Sequence, residues 1–288
     1  MNKNEMGRDS VSEKMSERLL TVADLLGNFE ARRQSRSGSA AASQDSFDCV
    51  ADVGCDHGYV SMYLVQSGIA KRAIAMDVRS GPLAMAAGNI ESMGLSDRIE
   101  TRLSDGLSEL KSGEADSLVI AGMGGKLMIS ILEKKSPAEL GIKSAVLQPQ
   151  SDIDEFRQFL RDNHFEIVDE RIILEDGKYY FPMRVEVAED NRKGKAIGRA
   201  PDSYEDIPNV AAVASALGLT DPTAIMRICN RYGELNILRK DPLLQKFLLH
   251  GREVCSSIMK NLDETSHSDR FREVRQETED IDLLLKMF

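Results

Sequence analysis

The sequence predicts an α/β fold in which a mostly parallel sheet ends in an antiparallel hairpin and is followed by a helical C-terminal region. Between residues 47 and 163, short apolar runs alternate with stretches of helical periodicity, which is typical of a parallel sheet covered by helices on both faces. Two long β-rich runs then flank Glu175-Asp176-Gly177-Lys178, and Asp-Gly is a strong hairpin signal. The chain of 288 residues is long enough for such a domain and a smaller second unit.

The periodicity of apolar residues sets the order of the elements. Strands are predicted over Asp48–Val53, Arg72–Asp77, Ile99–Leu103, Ser117–Ala121 and Ser144–Leu147. Helices are predicted over Val60–Ser67, Pro82–Met93, Lys126–Glu133 and Asp152–Asn163. The hairpin strands are predicted over Phe165–Leu174 and Tyr179–Val187. A parallel sheet closed by an antiparallel pair is typical of class I methyltransferases, whereas a dinucleotide dehydrogenase more often continues with parallel strands.

Two further regions flank this Rossmann-like domain. Ser16 precedes an amphipathic helix that runs to Leu26 and stops at Gly27, and a polar loop follows between residues 32 and 44. Beyond residue 190 the pattern is charged and mostly helical, and His267–Phe288 is predicted to form an antiparallel, coiled-coil-like arm. We therefore expect an N-terminal helix and loop (1–46), a Rossmann-like domain (47–189) and a helical C-terminal domain (190–288).

The charge of the chain restricts how it can meet nucleic acid. The formal net charge of −10 disfavours broad electrostatic attachment, because phosphate binding needs Lys and Arg side chains. Any RNA contact therefore needs a local basic surface. The candidates in the C-terminal region are Arg227, Arg231, Arg239, Lys240, Lys246 and Arg252. The alternative, and the commoner case, is that these charges form a solvated helical face.

A membrane span, export and a metal site are not expected. No apolar run approaches the roughly 20 residues that span a bilayer, and the N-terminus has no signal-peptide pattern. The four cysteines show no metal-ligand spacing, so we expect reduced thiols, no metal and a cytoplasmic protein. The oligomeric state is left open, with a monomer as the working assumption.

The turn after the first strand carries the strongest functional signal. In a doubly wound sheet the ligand lies beyond the carboxyl ends of the strands, and that place is occupied by Asp52-Val53-Gly54-Cys55-Asp56-His57-Gly58-Tyr59. The glycines allow a ligand to approach the backbone, and the carboxylates can accept from an ammonium or hydroxyl group. Asp56 disfavours a pyrophosphate but suits a cationic sulfonium. The alternative is that Asp52 and Asp56 only cap the following helix.

Three later segments point to the same end of the sheet. Asp77 ends the second strand, 25 positions after Asp52, close to the spacing at which an acidic residue receives ribose hydroxyls. Asp105-Gly106 follows the third strand and is placed to contact an adenine ring, with a simple turn as the alternative. The fourth strand leads into Gly122-Met123-Gly124-Gly125, whose backbone can approach both cofactor and acceptor unless the glycines serve tight packing.

His57 and Tyr59 flank the glycine turn and are candidate catalytic residues. A histidine at such a place is as often a structural residue as a catalyst. Tyr59 can stack on a flipped base, and burial against the sheet is an equal alternative. Both roles stay open at the level of sequence.

Five motifs together resemble one known family. They are Ser16–Val22 (SERLLTV), Ala51–Tyr59 (ADVGCDHGY), Asp105-Gly106, Ile120–Gly125 (IAGMGG) and Leu147–Gln150 (LQPQ). The set resembles the bacterial tRNA (adenine-22-N1)-methyltransferases of the TrmK type over most of residues 14–188, and the segment 231–247 is similar to the family's entry into its helical C-terminal domain. Three features depart from the family: Gln150 stands where Asn is typical, the loop 28–46 is longer than usual, and the tract 199–230 has no counterpart.

The resemblance implies transfer of a methyl group from S-adenosylmethionine to N1 of adenine 22 in tRNA. The implied cofactor contacts are Asp52, Gly54, Asp56, Gly58, Asp77, Asp105, Gly106, Gly122 and Met123. The implied tRNA contacts are Arg18, Gly124, Gly125 and Gln148, with an ordinary surface arginine as the alternative for Arg18. The implied catalytic residues are Asp56, His57 and Tyr59.

The chemistry of this reaction agrees with such a site. N1 of adenine has an available lone pair, so catalysis can rest largely on alignment without a strong base. Asp56 is the candidate to stabilise the cationic product, and N1 becomes accessible only when the nucleotide is unpaired or extruded. Two alternatives remain: a methyltransferase for a small-molecule acceptor, which the acidic net charge favours, and a non-catalytic scaffold that binds S-adenosylmethionine or RNA.

Overall fold

The computed structural model describes residues 11–27, 46–187, 203–262 and 268–288. The predicted loop at 32–44 and His267, the predicted start of the C-terminal arm, lie outside the described residues. Contacts divide the described part of the chain into two units. The first lies within Met1–Arg171 and Tyr180–Ala200, and the second comprises Ile172–Tyr179 with the described part of Pro201–Phe288.

The first unit is built on a seven-stranded sheet in the order β3-β2-β1-β4-β5-β9-β6. The strands are β1 (Phe47–Val53), β2 (Ala70–Asp77), β3 (Ile99–Leu103), β4 (Ser117–Met123), β5 (Ser144–Pro149), β6 (Phe165–Glu170) and β9 (Met183–Val187). Neighbours among β1 to β5 pair in parallel, and β9 pairs antiparallel with both β5 and β6. The predicted mostly parallel sheet with an antiparallel end is therefore confirmed.

The α-helices of the first unit agree with the prediction except for one addition, and a short 3₁₀ helix at Val11–Lys14 precedes them. They are α1 (Glu17–Leu26), α2 (Tyr59–Gln66), α3 (Ser80–Ser92), α4 (Gly125–Lys134), α5 (Pro137–Leu140) and α6 (Ile153–Asp162). Helix α5 is absent from the sequence prediction because its four residues are too few to show helical periodicity. It begins with Pro137 and ends at Gly141, whose φ of 85° is left-handed.

Helix α1 belongs to the core of the first unit. The Ser16 hydroxyl accepts from the Leu19 amide and caps the helix as predicted, and Leu26 on its inner face is 1% exposed. The Tyr63 hydroxyl of α2 donates to Asp24 over 2.8 Å. The contacts therefore group this helix with the sheet, whereas the predicted boundary at residue 46 separates them. The division into the three predicted regions stays a prediction.

The predicted hairpin forms, but each of its two long strands is interrupted, so that part of the prediction is wrong. The outer pieces are β7 (Ile173–Glu175) and β8 (Lys178–Tyr180), which form a two-stranded sheet separate from the other described strands. The interruption comes at Pro182, which has no N–H for the ladder, although its carbonyl accepts from the Arg171 amide over 3.1 Å. The turn itself places Asp176 (φ 50°) and Gly177 (φ 73°) in the left-handed region, as Asp-Gly predicts.

The part of the second unit beyond residue 203 is helical in the described residues, as the fold prediction requires. Its helices are α7 (Pro208–Leu217), α8 (Pro222–Tyr232), α9 (Glu234–Leu238), α10 (Pro242–Asn261) and α11 (Ser268–Leu285), with a short 3₁₀ helix at Tyr204–Asp206. Helices α10 and α11 run antiparallel, since Arg252 pairs with Asp282 and Met259 contacts Thr278. The apolar core of this unit includes Leu244 and Leu248, which are both fully buried.

Three arginines of the predicted basic region form ion pairs with carboxylates of α11. Arg227 binds Asp280 through two hydrogen bonds of 2.7 and 2.8 Å, Arg231 pairs with Glu277, and Arg252 pairs with Asp282. The bond to Asp280 raises the pKa of Arg227. The positive charges of these arginines are therefore compensated within the unit, which makes the region less suited to bind RNA phosphates.

Among the described helices, none is long and apolar enough to cross a membrane.

Candidate functional site

A cavity of about 660 Å³ lies in the first unit at the carboxyl ends of β1, β2, β3 and β4. Eleven of the predicted site residues line it: Arg18, Asp52, Gly54, Asp56, His57, Tyr59, Asp77, Asp105, Gly106, Gly122 and Met123. Four predicted residues are not part of its lining: Gly58, Gly124, Gly125 and Gln148. The topology thus brings motifs that are far apart in sequence to one place, as expected of a doubly wound sheet.

The β1–α2 turn has an unusual backbone that explains its glycines. Gly54 and Gly58 have φ values of 77° and 76°, and Asp56 adopts a left-handed φ of 49°. The amides of Gly54 and Cys55 both donate to the Met76 carbonyl, at 2.8 and 2.9 Å, which joins the turn to the end of β2. A Cβ on Gly54 would lie 2.3 Å from the Met123 side chain. The turn is therefore shaped by backbone contacts at the cavity floor.

Asp52 is buried and supports the turn. Its Oδ2 accepts from the Ser61 amide at 3.2 Å and from the Ser61 hydroxyl at 2.7 Å. Burial raises the pKa of Asp52 to about 6, with Asp77 adding to the effect. One oxygen of Asp52 therefore caps α2, as the capping alternative predicts, because Ser61 lies in the first turn of that helix. A cofactor contact by this carboxyl group stays a prediction.

Asp77 is also buried, at 4% exposure, and it fastens β2 to the turn. Its Oδ2 accepts from the Asp56 amide at 3.4 Å, and its Oδ1 accepts from the Arg79 amide at 2.8 Å. The Arg79 guanidinium lies 3.5 Å from Asp77 and 3.9 Å from Asp56. This places a buried carboxylate on the cavity wall, with an exposed arginine next to it.

The candidate catalytic residues lie side by side on the turn. The Asp56 side chain is 59% exposed, and its Oδ2 is 3.5 Å from His57 Nε2. The His57 carbonyl accepts from the Asn89 amide group at 3.0 Å, which anchors the turn to α3. The Tyr59 ring centre is 6.0 Å from that of His57, and Tyr59 also packs against the apolar core. Tyr59 therefore contacts both the apolar core and the cavity, which the sequence analysis treated as alternatives.

The turn after β3 is held by its own hydrogen bonds. The Ser104 hydroxyl donates to the Gly106 carbonyl at 2.8 Å, and Gly106 has a φ of 58°. A Cβ on Gly106 would lie 2.9 Å from the Ile131 side chain. The Asp105 side chain is 65% exposed and lies 3.4 Å from Lys134. This segment is both a tight turn and a wall of the cavity, so a role as a simple turn does not conflict with the predicted contact to an adenine ring.

The glycine cluster after β4 divides into two parts. Gly122, with a φ of 80°, and Met123 line the cavity. Gly124 and Gly125 instead face the segment after β5: a Cβ on Gly125 would lie 2.5 Å from the Ser151 carbonyl oxygen. The packing alternative therefore explains Gly125, and the predicted tRNA contacts of Gly124 and Gly125 remain without support from the cavity.

Arg18 lies at the cavity, and its contact with tRNA stays a prediction. It is half-buried on α1, lines the cavity and donates from Nη1 to Gln148 Oε1 over 2.7 Å. Its guanidinium carbon lies 5.1 Å from the centre of the Tyr180 ring, within cation–π range. Gln148 is fully buried on β5, and its partner Arg18 is part of the cavity lining.

The cavity lining also includes residues that were not predicted as site residues, among them Val78, Arg79, Leu127 and Gln150. Val78 and Leu127 are 61% and 53% exposed, which is unusual for large apolar side chains. Their positions in the chain could have identified them, although the apolar periodicity could not. Val78 directly follows Asp77 at the end of β2, and Leu127 lies in the first turn of α4. The titratable side chains of the lining include four aspartates and two arginines, so the cavity favours a cationic ligand.

Known proteins resemble this chain in sequence and fold. The sequence profile of a family described as "Methyltransferase domain" matches residues 36–183. A Bacillus subtilis protein named tRNA (adenine(22)-N(1))-methyltransferase is 36% identical over 167 residues, which cover 58% of this chain and 63% of that protein. The matched stretch is thus less than two thirds of this relative.

Two solved structures cover nearly the whole chain. The B. subtilis M1A22 tRNA methyltransferase TrmK has a TM-score of 0.67 and 25% identity, covering 94% of this chain and 98% of that one. Streptococcus pneumoniae Sp1610 in complex with S-adenosyl-L-methionine has a TM-score of 0.67 and 25% identity, covering 94% and 99%. The similarity therefore includes the helical C-terminal region as well as the sheet.

Proposed function

We propose, from the premise that this chain belongs to the methyltransferase-domain family, that it transfers a methyl group from S-adenosylmethionine to N1 of adenine 22 in tRNA. The observation that carries the proposal is the cavity at the carboxyl ends of the strands, which is lined by the DVGCDHGY turn except for Gly58, by Asp77 and by Gly122-Met123. The B. subtilis relative with 36% identity is named for this reaction, and the fold of Sp1610 holds S-adenosyl-L-methionine.

The residues of the cavity fit the cofactor. The buried Asp77 carboxylate is suited to receive ribose hydroxyls, and the exposed side chains of Val78 and Leu127 offer apolar surface for an adenine ring. Asp105 lies on the same wall and can accept from an exocyclic amino group. The excess of carboxylates suits a ligand that carries a sulfonium and an ammonium group.

S-adenosylmethionine supplies an electrophilic methyl group on its sulfonium sulfur. In the reaction, the adenine N1 lone pair forms the new N–C bond while the C–S bond breaks, so the chain must mainly align the acceptor. Asp56 has the exposed carboxylate to accept from the exocyclic amine and to stabilise the positive charge that develops on the base. His57, 3.5 Å from Asp56, is proposed to orient that carboxylate, and Tyr59 is proposed to contact the extruded base.

The tRNA contacts are proposed on the α1 side of the cavity. Arg18 supplies a guanidinium at the lining, and the Gly122 backbone leaves space beside it. Because the paired arginines of α8 and α10 are compensated by α11, the proposal does not depend on them. A tRNA substrate also implies that the protein acts in the cytoplasm.

The decisive experiment measures transfer of labelled methyl from S-adenosylmethionine to unmodified bulk tRNA, followed by nuclease digestion and nucleoside mass spectrometry. We expect 1-methyladenosine from bulk tRNA, and no labelling of a transcript in which adenine 22 is replaced by guanine. The acidic net charge of −10 favours a small-molecule acceptor as the second candidate. Cofactor binding without any labelled tRNA would contradict the proposed tRNA methylation and favour the small-molecule methyltransferase or the non-catalytic scaffold.

A further inference from the structure

Arg79 lies between two carboxylates of the cavity that the proposed function uses for different purposes. Its Nε is 3.5 Å from Asp77 Oδ1, and its Nη2 is 3.9 Å from Asp56 Oδ1. Asp77 is proposed to bind the ribose of the cofactor, whereas Asp56 is proposed to face the acceptor base. The guanidinium group therefore links the proposed cofactor-binding carboxylate to the proposed catalytic one.

Asp77 anchors Arg79 through the main chain as well as through the side chain. The Arg79 amide donates to Asp77 Oδ1 over 2.8 Å, and Arg79 is the N-cap residue of α3. Asp77 is buried at the end of β2, so its carboxylate has a fixed position. The Arg79 side chain is 66% exposed, but both its backbone and its Nε are held by this one carboxylate.

The Asp56 carboxylate depends on few neighbours for its orientation. In the part of the chain that the structure describes, the cationic groups within ion-pair distance of it are Arg79, at Oδ1, and His57, at Oδ2. Its side chain is 59% exposed. Asp77 repels it, because the two carboxylates carry like charges. Removal of Arg79 would therefore free Oδ1 and allow the carboxylate to turn away from Asp77.

The charges of these three groups still suit a cationic product. Two carboxylates and one guanidinium sum to about −1, so Arg79 can orient Asp56 without cancelling the negative charge near the acceptor. The guanidinium has several donors in a planar fork and can contact both carboxylates at once. Exposed ion pairs contribute little to stability. The effect of this contact is therefore expected in catalysis and not in the stability of the fold.

We infer that Arg79 is a positioning residue that is anchored by Asp77 and holds the Asp56 carboxylate in place for the acceptor base during methyl transfer. The inference rests on the proposed tRNA methylation and gives Arg79 no direct contact with the cofactor or the tRNA. Because Arg79 acts through Asp56, its removal should slow methyl transfer. Binding of S-adenosylmethionine and of tRNA should stay nearly unchanged.

The test compares Arg79→Met, Asp56→Asn and the double variant in the full-length chain. Methionine keeps an unbranched side chain and removes the guanidinium. We expect Arg79→Met to lower kcat about tenfold while KM for tRNA stays within about twofold. The single-turnover rate of methyl transfer at saturating S-adenosylmethionine should fall by the same factor. The double variant should be no slower than Asp56→Asn alone, because Asp56 has then lost the charge that Arg79 holds.

Arg72→Met is the matched control. Arg72 is an exposed arginine near the amino end of β2, opposite to Asp77, and it is not part of the cavity lining. The control makes the same change in net charge and should leave kcat and KM unchanged. In Arg79→Met, the dissociation constant for S-adenosylmethionine, measured by calorimetry, should stay within about twofold of wild type, and the melting temperature should not change.

Two kinds of result would overturn the inference and leave the proposed function standing. One is a normal kcat in Arg79→Met, or a further loss of kcat in the double variant. The other is a raised KM for tRNA or a changed dissociation constant for S-adenosylmethionine, which would show that Arg79 contacts a substrate directly. A wild-type protein that labels no tRNA would overturn both proposals.

Discussion

Asp56 and Asp77 are joined through the main chain, because the Asp56 amide donates to Asp77 Oδ2 over 3.4 Å. The same carboxylate accepts from the Arg79 amide through its other oxygen. A residue proposed for catalysis is thus placed by a residue proposed for cofactor binding. Changes at Asp77 must therefore be compared with changes at Asp56 before either role is assigned.

Replacing Asp77 by Ala is expected to weaken binding of S-adenosylmethionine by roughly 10- to 100-fold, since the contacts of one charged acceptor are worth about 1.5–3 kcal/mol. Calorimetry of the full-length protein measures the dissociation constant directly. Asp97→Asn is the control, because Asp97 is exposed and precedes β3 at the opposite end of the strand. An unchanged dissociation constant in Asp77→Ala would contradict the ribose contact.

Asp56→Ala is expected to abolish methylation while leaving the fold intact, and Asp56→Asn tests the charge alone. Asparagine tolerates the left-handed φ of 49° at this position, whereas alanine adds about 1–2 kcal/mol of backbone strain. We therefore expect a roughly 100-fold loss of kcat in Asp56→Asn at unchanged thermal stability, and a lower melting temperature only in Asp56→Ala. Near-normal turnover in Asp56→Asn would refute the proposed charge stabilisation.

The sequence predicted features that depend on local patterns, and it did not predict contacts between residues that are far apart in the chain. The β1–α2 turn and Asp77 are brought together by parallel strand order, which periodicity predicts, so the cavity was placed correctly from local patterns. The break at Pro182 was missed because the two β-rich runs continue across it in sequence. The contact between Arg18 and Gln148 joins residues 130 positions apart, and neither pattern contains information about the other.

Asp52 is expected to make stability depend on pH. Its folded pKa of about 6 exceeds the ordinary value of 3.8, so the folded state binds more protons than the unfolded state between these pH values. The free energy of unfolding should therefore fall as pH rises from about 4 to 6 and stay low above that range. The difference between the pKa values of the folded and unfolded states corresponds to at most about 3 kcal/mol of unfolding free energy.

Asp52→Asn removes this titration while its side-chain oxygen still accepts from Ser61. Urea unfolding at several pH values should show the variant gaining stability relative to wild type as pH rises from 4 to 7. Asp97→Asn is the exposed control and should follow the wild-type curve. Parallel curves for Asp52→Asn and wild type would show that burial does not shift the pKa of Asp52.

Gly125→Ala tests whether the end of the AGMGG motif serves packing. A Cβ at Gly125 would lie 2.5 Å from the Ser151 carbonyl oxygen and 2.9 Å from that of Asp152, and backbone atoms cannot move away as a side chain does. We expect a loss of about 1–3 kcal/mol in the free energy of unfolding, measured by urea denaturation. Gly81→Ala is the matched control, since α3 has open space at that position and alanine favours a helix by about 1 kcal/mol. If Gly125→Ala kept full stability but raised KM for tRNA, the glycine would instead serve the substrate, as the resemblance implied.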